Sequence, residues 1–283
     1  MMAQDTVFSE KIAQIFNPDA DVMIMGILNI TPDSFSDGGK YLTEKEWLKQ
    51  CRKMVKEGAD IIDIGGFSTR PGAKYVSIKE EENRVLPVIK SVRKHFPELL
   101  ISVDTFRASV AQKAVKAGAN IINDISGGQF DKKMFTTVAR LDVPYVLMHN
   151  NKTWETMHDK KIKGDIIDSV KNFIEKKYLK LIKMGATKII IDPGFGFGKT
   201  EKQNFELITG LKLIRSHNQP ILVGISRKSM IPKTKGEKPK DVLQKISGMH
   251  LGLMLSGATI LRVHDVKEAK EITNIKVGRT IRS

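Results

Sequence analysis

A chain of 283 residues, 41% hydrophobic and 28% charged, can bury a sizeable core, either as one large domain or as two small ones. Its 47 Lys and Arg against 32 Asp and Glu give a formal net charge of +15, which raises nucleic acid as a partner. The basic residues are scattered along predicted helix faces, and aromatics make up only 6% of the chain, so a small anionic substrate is the better reading.

The opening MMAQDTVFSEKIAQIF has neither the basic nor the apolar stretch of a secretory signal, and residues 1–20 read as an N-terminal extension to a single domain over 21–283. The run VMIMGIL is too short to span a bilayer. A single Cys51 leaves no internal disulfide, and the expectation is a cytoplasmic protein.

The first predicted strand is VMIMGILN (22–29), followed by a loop rich in Ser, Asp and Gly, NITPDSFSDGGKY, and an amphipathic helix, EKEWLKQCRKMVKEG. GADIIDIGG (58–66) gives the second strand, GGFSTRPGAKY a second long loop, and EEENRVLPVIKSVRKHF the next helix. Both loops read as lids over a site. LLISVD (99–104), the helix RASVAQKAVKAG, GANIINDISGG (118–128) and PYVLMH (144–149) continue the alternation. It is completed by the helix DSVKNFIEKKYLKLIKMG, then GATKIIIDPGFG (185–196), PILVGIS (220–226) and GATILRVHD (257–265).

Four of these segments share one plan, Gly-Ala, one or two polar residues, an Ile-rich run and a polar end. They begin at 58, 118, 185 and 257, about two βα units apart. Eight buried strands alternating with helices predict an α/β fold, a (β/α)8 TIM barrel; a doubly wound sheet is the alternative, but the first strand lacks its glycine fingerprint. In a barrel all eight strand ends meet at one face. Here they carry Asn29, Asp63, Asp104, Asn123 with Asp124, His149, Asp192, Ser226 with Arg227 and Lys228, then Arg262 and His264.

Each invites a plainer reading. Asp265 with Glu268 has the spacing of a capping box, Asp124 reads as structural, and Asp104 is open between a cap and a ligand group. Asp192 is followed by Pro193 and lies too far from the next helix to cap it; buried there, its carboxylate needs donors such as the cyclic guanidine edge of a heterocycle. His149 and His264 are open between core and site. GFGFGKT resembles a phosphate loop, but the first glycine of that motif would fall on Pro193, which has no N–H. No H-E-x-x-H pair or G-x-S-x-G elbow occurs, and neither a protein zinc site nor a serine nucleophile is expected. SRKSM (226–230) sets cations beside a possible helix start, which suits an anion. KTKGEKPK (233–240) reads as a solvated loop.

GILNITPDSFSDGG, GGFSTRPGA, ISVDT, IIND, LMH, DPGFGFGK, SRKSM and RVHDV, in that order from 26 to 266, resemble the dihydropteroate synthase family of pterin-binding enzymes. The resemblance implies a transferase of folate biosynthesis that condenses 6-hydroxymethyl-7,8-dihydropterin pyrophosphate with 4-aminobenzoate in the presence of Mg²⁺. It also implies a sulfonamide target and a homodimer through late helices; GMHLGLMLSGA (248–258) could be such a helix, and barrel packing explains that segment equally well. By motif, Asp104, Asn123, Asp192 and Lys228 would hold the pterin, with Met148 and Phe197 along its wall. Asn29, Arg262 and His264 would hold the pyrophosphate, with the metal on Asn29. Ser229 would meet the aminobenzoate, and Asp37, Thr69, Arg70 and Pro71 would close over it. Asp104, Asp192, Lys228, Arg262 and His264 would form the catalytic set.

The chain departs from the family's pattern at Phe67, where an acid or amide is usual, at His149-Asn150-Asn151-Lys152, and after Ile231. Phe67 is expected to change packing around the aminobenzoate. Two other readings are a methyltetrahydrofolate–corrinoid methyltransferase barrel and a paralogue that binds pterin without turnover.

Overall fold

A computed structural model describes residues 2–31, 43–68, 75–150, 153–154, 156–157, 159, 162–226 and 239–275. In chain order the elements are α1 (Met2–Phe16), β1 (Met23–Asn29), α2 (Glu44–Lys56), β2 (Ile61–Gly65), α3 (Ile78–His95), β3 (Leu100–Asp104), α4 (Ala108–Ala117) and β4 (Ile121–Asp124). They continue with α5 (Met134–Leu141), β5 (Tyr145–Met148), α6 (Ile166–Lys183), β6 (Ile189–Asp192), α7 (Glu201–Thr209), β7 (Leu222–Val223), α8 (Pro239–Leu255), β8 (Ile260–Val263) and α9 (Val266–Thr273). The strands pair in parallel in the order β6-β5-β4-β3-β2-β1-β8-β7. A bridge between Ile191 and Ile221 joins the two ends. Closure of this kind gives a (β/α)8 TIM barrel and excludes the open doubly wound sheet.

The four-fold Gly-Ala echo has a backbone cause. Gly58, Gly118, Gly185 and Gly257 all have φ between 89° and 117°, left-handed values that let the chain leave a helix and enter the next strand. Helix starts are fixed by side chains: Ser77 Oγ accepts from Glu80 N, Asp165 Oδ1 from Asp168 N, and Thr200 with Gln203 forms a capping box on α7.

Alternation along the strands divides the core. Ile24, Leu28, Ile62, Ile64, Ile101, Val103, Ile122, Leu147, Ile191 and Val263 pack outward against the helices. Met25, Ile61, Leu100, Ile121, Val146, Ile190, Leu222 and Ile260 point inward and make an apolar floor. Each fully buried Ile or Leu contributes roughly 1.5–3 kcal/mol relative to exposure. Helix α1 covers that floor from below, Ile15 buried in it and Phe8, Ile12 and Phe16 packed against it.

Three local expectations are corrected. Asp265 is the N-cap of α9, but its side chain makes no capping hydrogen bond. Residues 239–240, expected in a solvated loop, begin α8; positions 233–238 lie outside the described residues. β7 is also much shorter than the run PILVGIS suggested. Pro220 has no N–H to give a ladder, and Ile221 makes only the single bridge to β6. Among the described residues no helix is long and apolar enough to cross a membrane.

His250 on α8 is buried, and its Nε2 has no partner among the described residues. Burial pulls its pKa down to about 4, with Asp265 opposing. The folded value lies below the unfolded one of about 6.5, so the neutral ring's contribution is complete above that pH and is lost as pH falls toward 4. The loss is on the order of 3 kcal/mol. Urea unfolding at pH 7.5 and 4.5 should show His250→Leu losing less stability than the parent by about that amount; equal losses in the two proteins would refute this.

Candidate active site

Strand parity builds the site. Side chains two residues beyond the apolar floor point the same way. Above the floor stand Asp63, Ser102, Asn123, Met148, Asp192 and Arg262, and above these Asn29, Gly65 and Asp104. The registers agree: Asn29 lies opposite Gly65, Gly65 opposite Asp104, Asp104 opposite Asn123, and Met148 opposite Asp192. All these residues share the mouth formed by the carboxyl ends of the strands, the face on which barrel enzymes place their chemistry.

At its centre is an ion triad, two buried aspartates and a half-buried arginine. Arg262 donates from Nε to Asp63 Oδ2 and from Nη2 to Asp104 Oδ2, each at 2.7 Å. Asn123 Nδ2 donates to the same Asp63 oxygen at 3.0 Å. The second carboxylate oxygens, Asp63 Oδ1 and Asp104 Oδ1, are buried and have no partner among the described residues. Burial pushes the Asp104 carboxyl above the usual range; Arg262 opposes the rise, while Asp63, Glu81 and Asp124 add to it. Burial also works against the charge on Arg262, but Asp63 and Asp104 outweigh it and hold the guanidinium above its ordinary value, with Asp192 contributing.

Asp192 Oδ1 accepts from the backbone N–H of Gly194 at 2.7 Å. Gly194 has φ +67°, and a Cβ there would meet the carbonyl of His149 at 2.2 Å, so only glycine permits this turn. Lys199 bends inward, 2% exposed, and donates to Gly194 O at 2.7 Å and Phe197 O at 3.1 Å. Asn204 Oδ1 accepts from Gly196 N at 2.8 Å. The resemblance to a phosphate loop therefore ends in a different use: the lysine staples the loop that holds Asp192.

Phe197 is partly buried and packs against the apolar cluster of Phe67, Phe106, Ile125, Met148 and Met157. His264 lies beside Ser226, its Nδ1 3.1 Å from Ser226 Oγ. Two plain readings are settled. His149 is a core histidine, held neutral by burial and edge-on to Phe173 at 4.9 Å. Asp124 points away from the barrel interior and accepts from Tyr145 Oη, Ser126 N and Gly128 N. Asp104 is not a cap: Arg107 N donates instead to Thr105 Oγ1, and Arg262 occupies the carboxylate.

The structure thus gathers Asn29, Asp104, Asn123, Met148, Asp192, Phe197, Arg262 and His264. Asp37, Thr69, Arg70, Pro71, Lys228 and Ser229 lie outside the described residues. Asp63 carried no role in the sequence reading, although its position was available there. In both IIDIG and LISVD the residues two and four after the first face inward, which sets Asp63 in line with Ser102 and Gly65 with Asp104.

Comparison with known proteins identifies the family. The family described as pterin binding enzyme matches residues 25–264. A dihydropteroate synthase of Clostridium beijerinckii is 42% identical over 268 residues, 93% of this chain and 97% of that protein. The Yersinia pestis dihydropteroate synthase, solved as a sulfonamide drug complex, superposes with a TM-score of 0.83 at 37% identity, covering 90% of this chain and 93% of that one. The Xanthomonas albilineans dihydropteroate synthase, solved with 4-aminobenzoic acid, gives 0.83 at 38% identity over 91% and 92%. With its strand ends, its barrel and these relatives in agreement, the chain belongs to the pterin-binding enzyme family, as a member of the dihydropteroate synthases.

Proposed function

We propose that the chain condenses 6-hydroxymethyl-7,8-dihydropterin pyrophosphate with 4-aminobenzoate to 7,8-dihydropteroate and pyrophosphate, the dihydropteroate synthase step of folate biosynthesis. The observation that carries this reading is the pairing, in one mouth, of buried acceptor oxygens without partners among the described residues with a fixed cation. Asn123 commits its amide N–H to Asp63, which leaves its carbonyl oxygen as an acceptor. Asp104 commits one oxygen to Arg262 and keeps the other. Together with Asp192 these acceptors match the N–H groups of an amino-pyrimidinone ring. Lys228 at the end of PILVGIS would complete the grip on the ring, with Met148 and Phe197 along its faces.

Arg262 then stands beside the ring's exocyclic methylene with His264 next to it, where the diphosphate leaves. The C–O bond breaks, its electron pair departs on the pyrophosphate, and the amine lone pair of 4-aminobenzoate closes the C–N bond on the resulting methylene cation. The amine's proton is lost last, to solvent or to the departing anion. No strong base is required; the site has to stabilise the leaving charge in a place shielded from water. Ser229 would meet the aminobenzoate carboxylate, and Asp37, Thr69, Arg70 and Pro71 would close over the site.

Among the described residues no group of three or more His, Cys, Asp or Glu could cage a metal ion. Asn29 offers one amide oxygen at the mouth, beside Gly65 and Asp104. That donor set fits a Mg²⁺ ion carried in on the substrate's diphosphate, where the ion would neutralise leaving-group charge. Homodimerisation through α8 belongs to the same reading. Gly248 and Gly252, one turn apart, have open space where a Cβ would stand, which suits close approach of a second helix. Sulfonamides, as mimics of 4-aminobenzoate, would compete at its subsite.

The test is release of pyrophosphate from the pterin substrate. It should require 4-aminobenzoate and fall when Mg²⁺ is chelated; release independent of 4-aminobenzoate, or none, would refute the assignment. Arg262→Ala should cut kcat by roughly 10²–10³-fold, as for removal of one anion-stabilising donor group, while calorimetry shows a much smaller change in pterin affinity. Unchanged turnover would count against its role. Asp192→Asn leaves one ring N–H mismatched and should weaken pterin binding by up to ~10⁴-fold. A normal titration isotherm would contradict that assignment.

A further inference from the structure

Gly65 and Gly66 bring the chain tightly past the site. A Cβ on Gly65 would lie 3.3 Å from Asn29 Oδ1, and one on Gly66 would lie 2.7 Å from Val85 Cγ1. The next residue, Phe67, is thereby driven into the mouth and is 6% exposed. Its ring meets Phe106 edge-on at 5.0 Å and Trp154 at 5.8 Å. Phe106 in turn contacts Trp154 at 5.4 Å and Phe130 at 5.3 Å. These rings come from four separate loops, those after β2, β3, β4 and β5.

The far end of the β2–α3 loop is tied to the same place. Tyr75 lies edge-on to Trp154 at 5.7 Å. The Arg107 guanidinium sits over Tyr75 at 4.8 Å and over Phe106 at 4.9 Å. It also donates to Val76 O and forms a buried ion pair with Glu81 on α3. Both ends of this loop therefore converge on Trp154, and Phe67 is the link that joins that tryptophan to the strand carrying Asp63.

We propose that Phe67 is a positioning residue that sets the affinity for the aryl amine and not for the pterin, by holding the loop after β2 against those after β3 and β5. Resting on the function proposed above, this follows from how the two substrates would be held. The groups assigned to the pterin, Asp104, Asn123 and Asp192, sit on strands and not on these loops. The second substrate would lie farther out, beside the rim where Phe67, Phe106 and Trp154 stand. The apolar face of that rim is continuous with Met148 and Phe197.

The chain has two tryptophans, Trp47 and Trp154, so a Trp47→Phe background leaves Trp154 as the sole indole reporter. In that background Phe67→Ala should shift Trp154 emission to the red and raise KM for 4-aminobenzoate roughly tenfold, the scale of two lost edge-to-face ring pairs. The Kd for the pterin substrate should stay within about twofold, and Phe67→Tyr should restore both emission and KM, since it keeps the ring pairs. An unmoved emission, a KM within twofold of the parent, or an equal loss of pterin affinity would each overturn the proposal. If the parent shows no turnover, the functional reading fails; the emission of Phe67→Ala and Phe67→Tyr still decides whether the ring contacts hold Trp154.

Discussion

The site depends on one constraint, an arginine kept charged inside a barrel by two carboxylates it cannot leave. Taking charges out of water costs several kcal/mol per fully buried ion, and their attraction offsets this only when geometry and hydrogen bonds are good. Here Arg262 spends Nε on Asp63 and Nη2 on Asp104, and Asn123 supports Asp63 from the other side. Two buried carboxylate oxygens still lack partners among the described residues. A fold that selects only for stability would fill this space with apolar side chains. Retaining it makes sense if a ligand supplies the missing donors and an anion meets the cation.

Much of this was legible in the sequence because parallel strands buried on both faces write themselves as Ile-rich runs. The Gly-Ala echo announced the repeat, and its glycines turned out to be the left-handed residues at four helix ends. Polar residues at the strand ends then named the mouth. Asp192 was legible for a negative reason, since proline and a long gap left it nothing local to cap.

What sequence reading missed has equally physical causes. Asp63 lies in the middle of IIDIG, and only the inward or outward parity of its strand shows that it faces Arg262, a partner nearly two hundred residues away. Lys199 carries the signature of a phosphate ligand yet points into the protein, because two backbone carbonyls of a tight glycine loop needed a donor. Asp265 has the spacing of a capping box without forming one, a reminder that spacing permits a hydrogen bond and tertiary packing decides it. Phe67 stood out in sequence as a departure from the family pattern, but its partners Phe106 and Trp154 are visible only once four loops are folded over the mouth.

The central claim is that Asp63 works through Arg262, fixing the guanidinium where the diphosphate departs. A double-mutant cycle on kcat tests it, with Asp63→Asn and Arg262→Met as the single variants, each chosen to keep volume. Asp63→Asn alone should slow turnover roughly 10–100-fold, the scale of a lost charge-assisted hydrogen bond, and should cost almost nothing once Arg262 is gone. Effects that simply multiply in the double variant would show that the two residues act independently and would contradict the account.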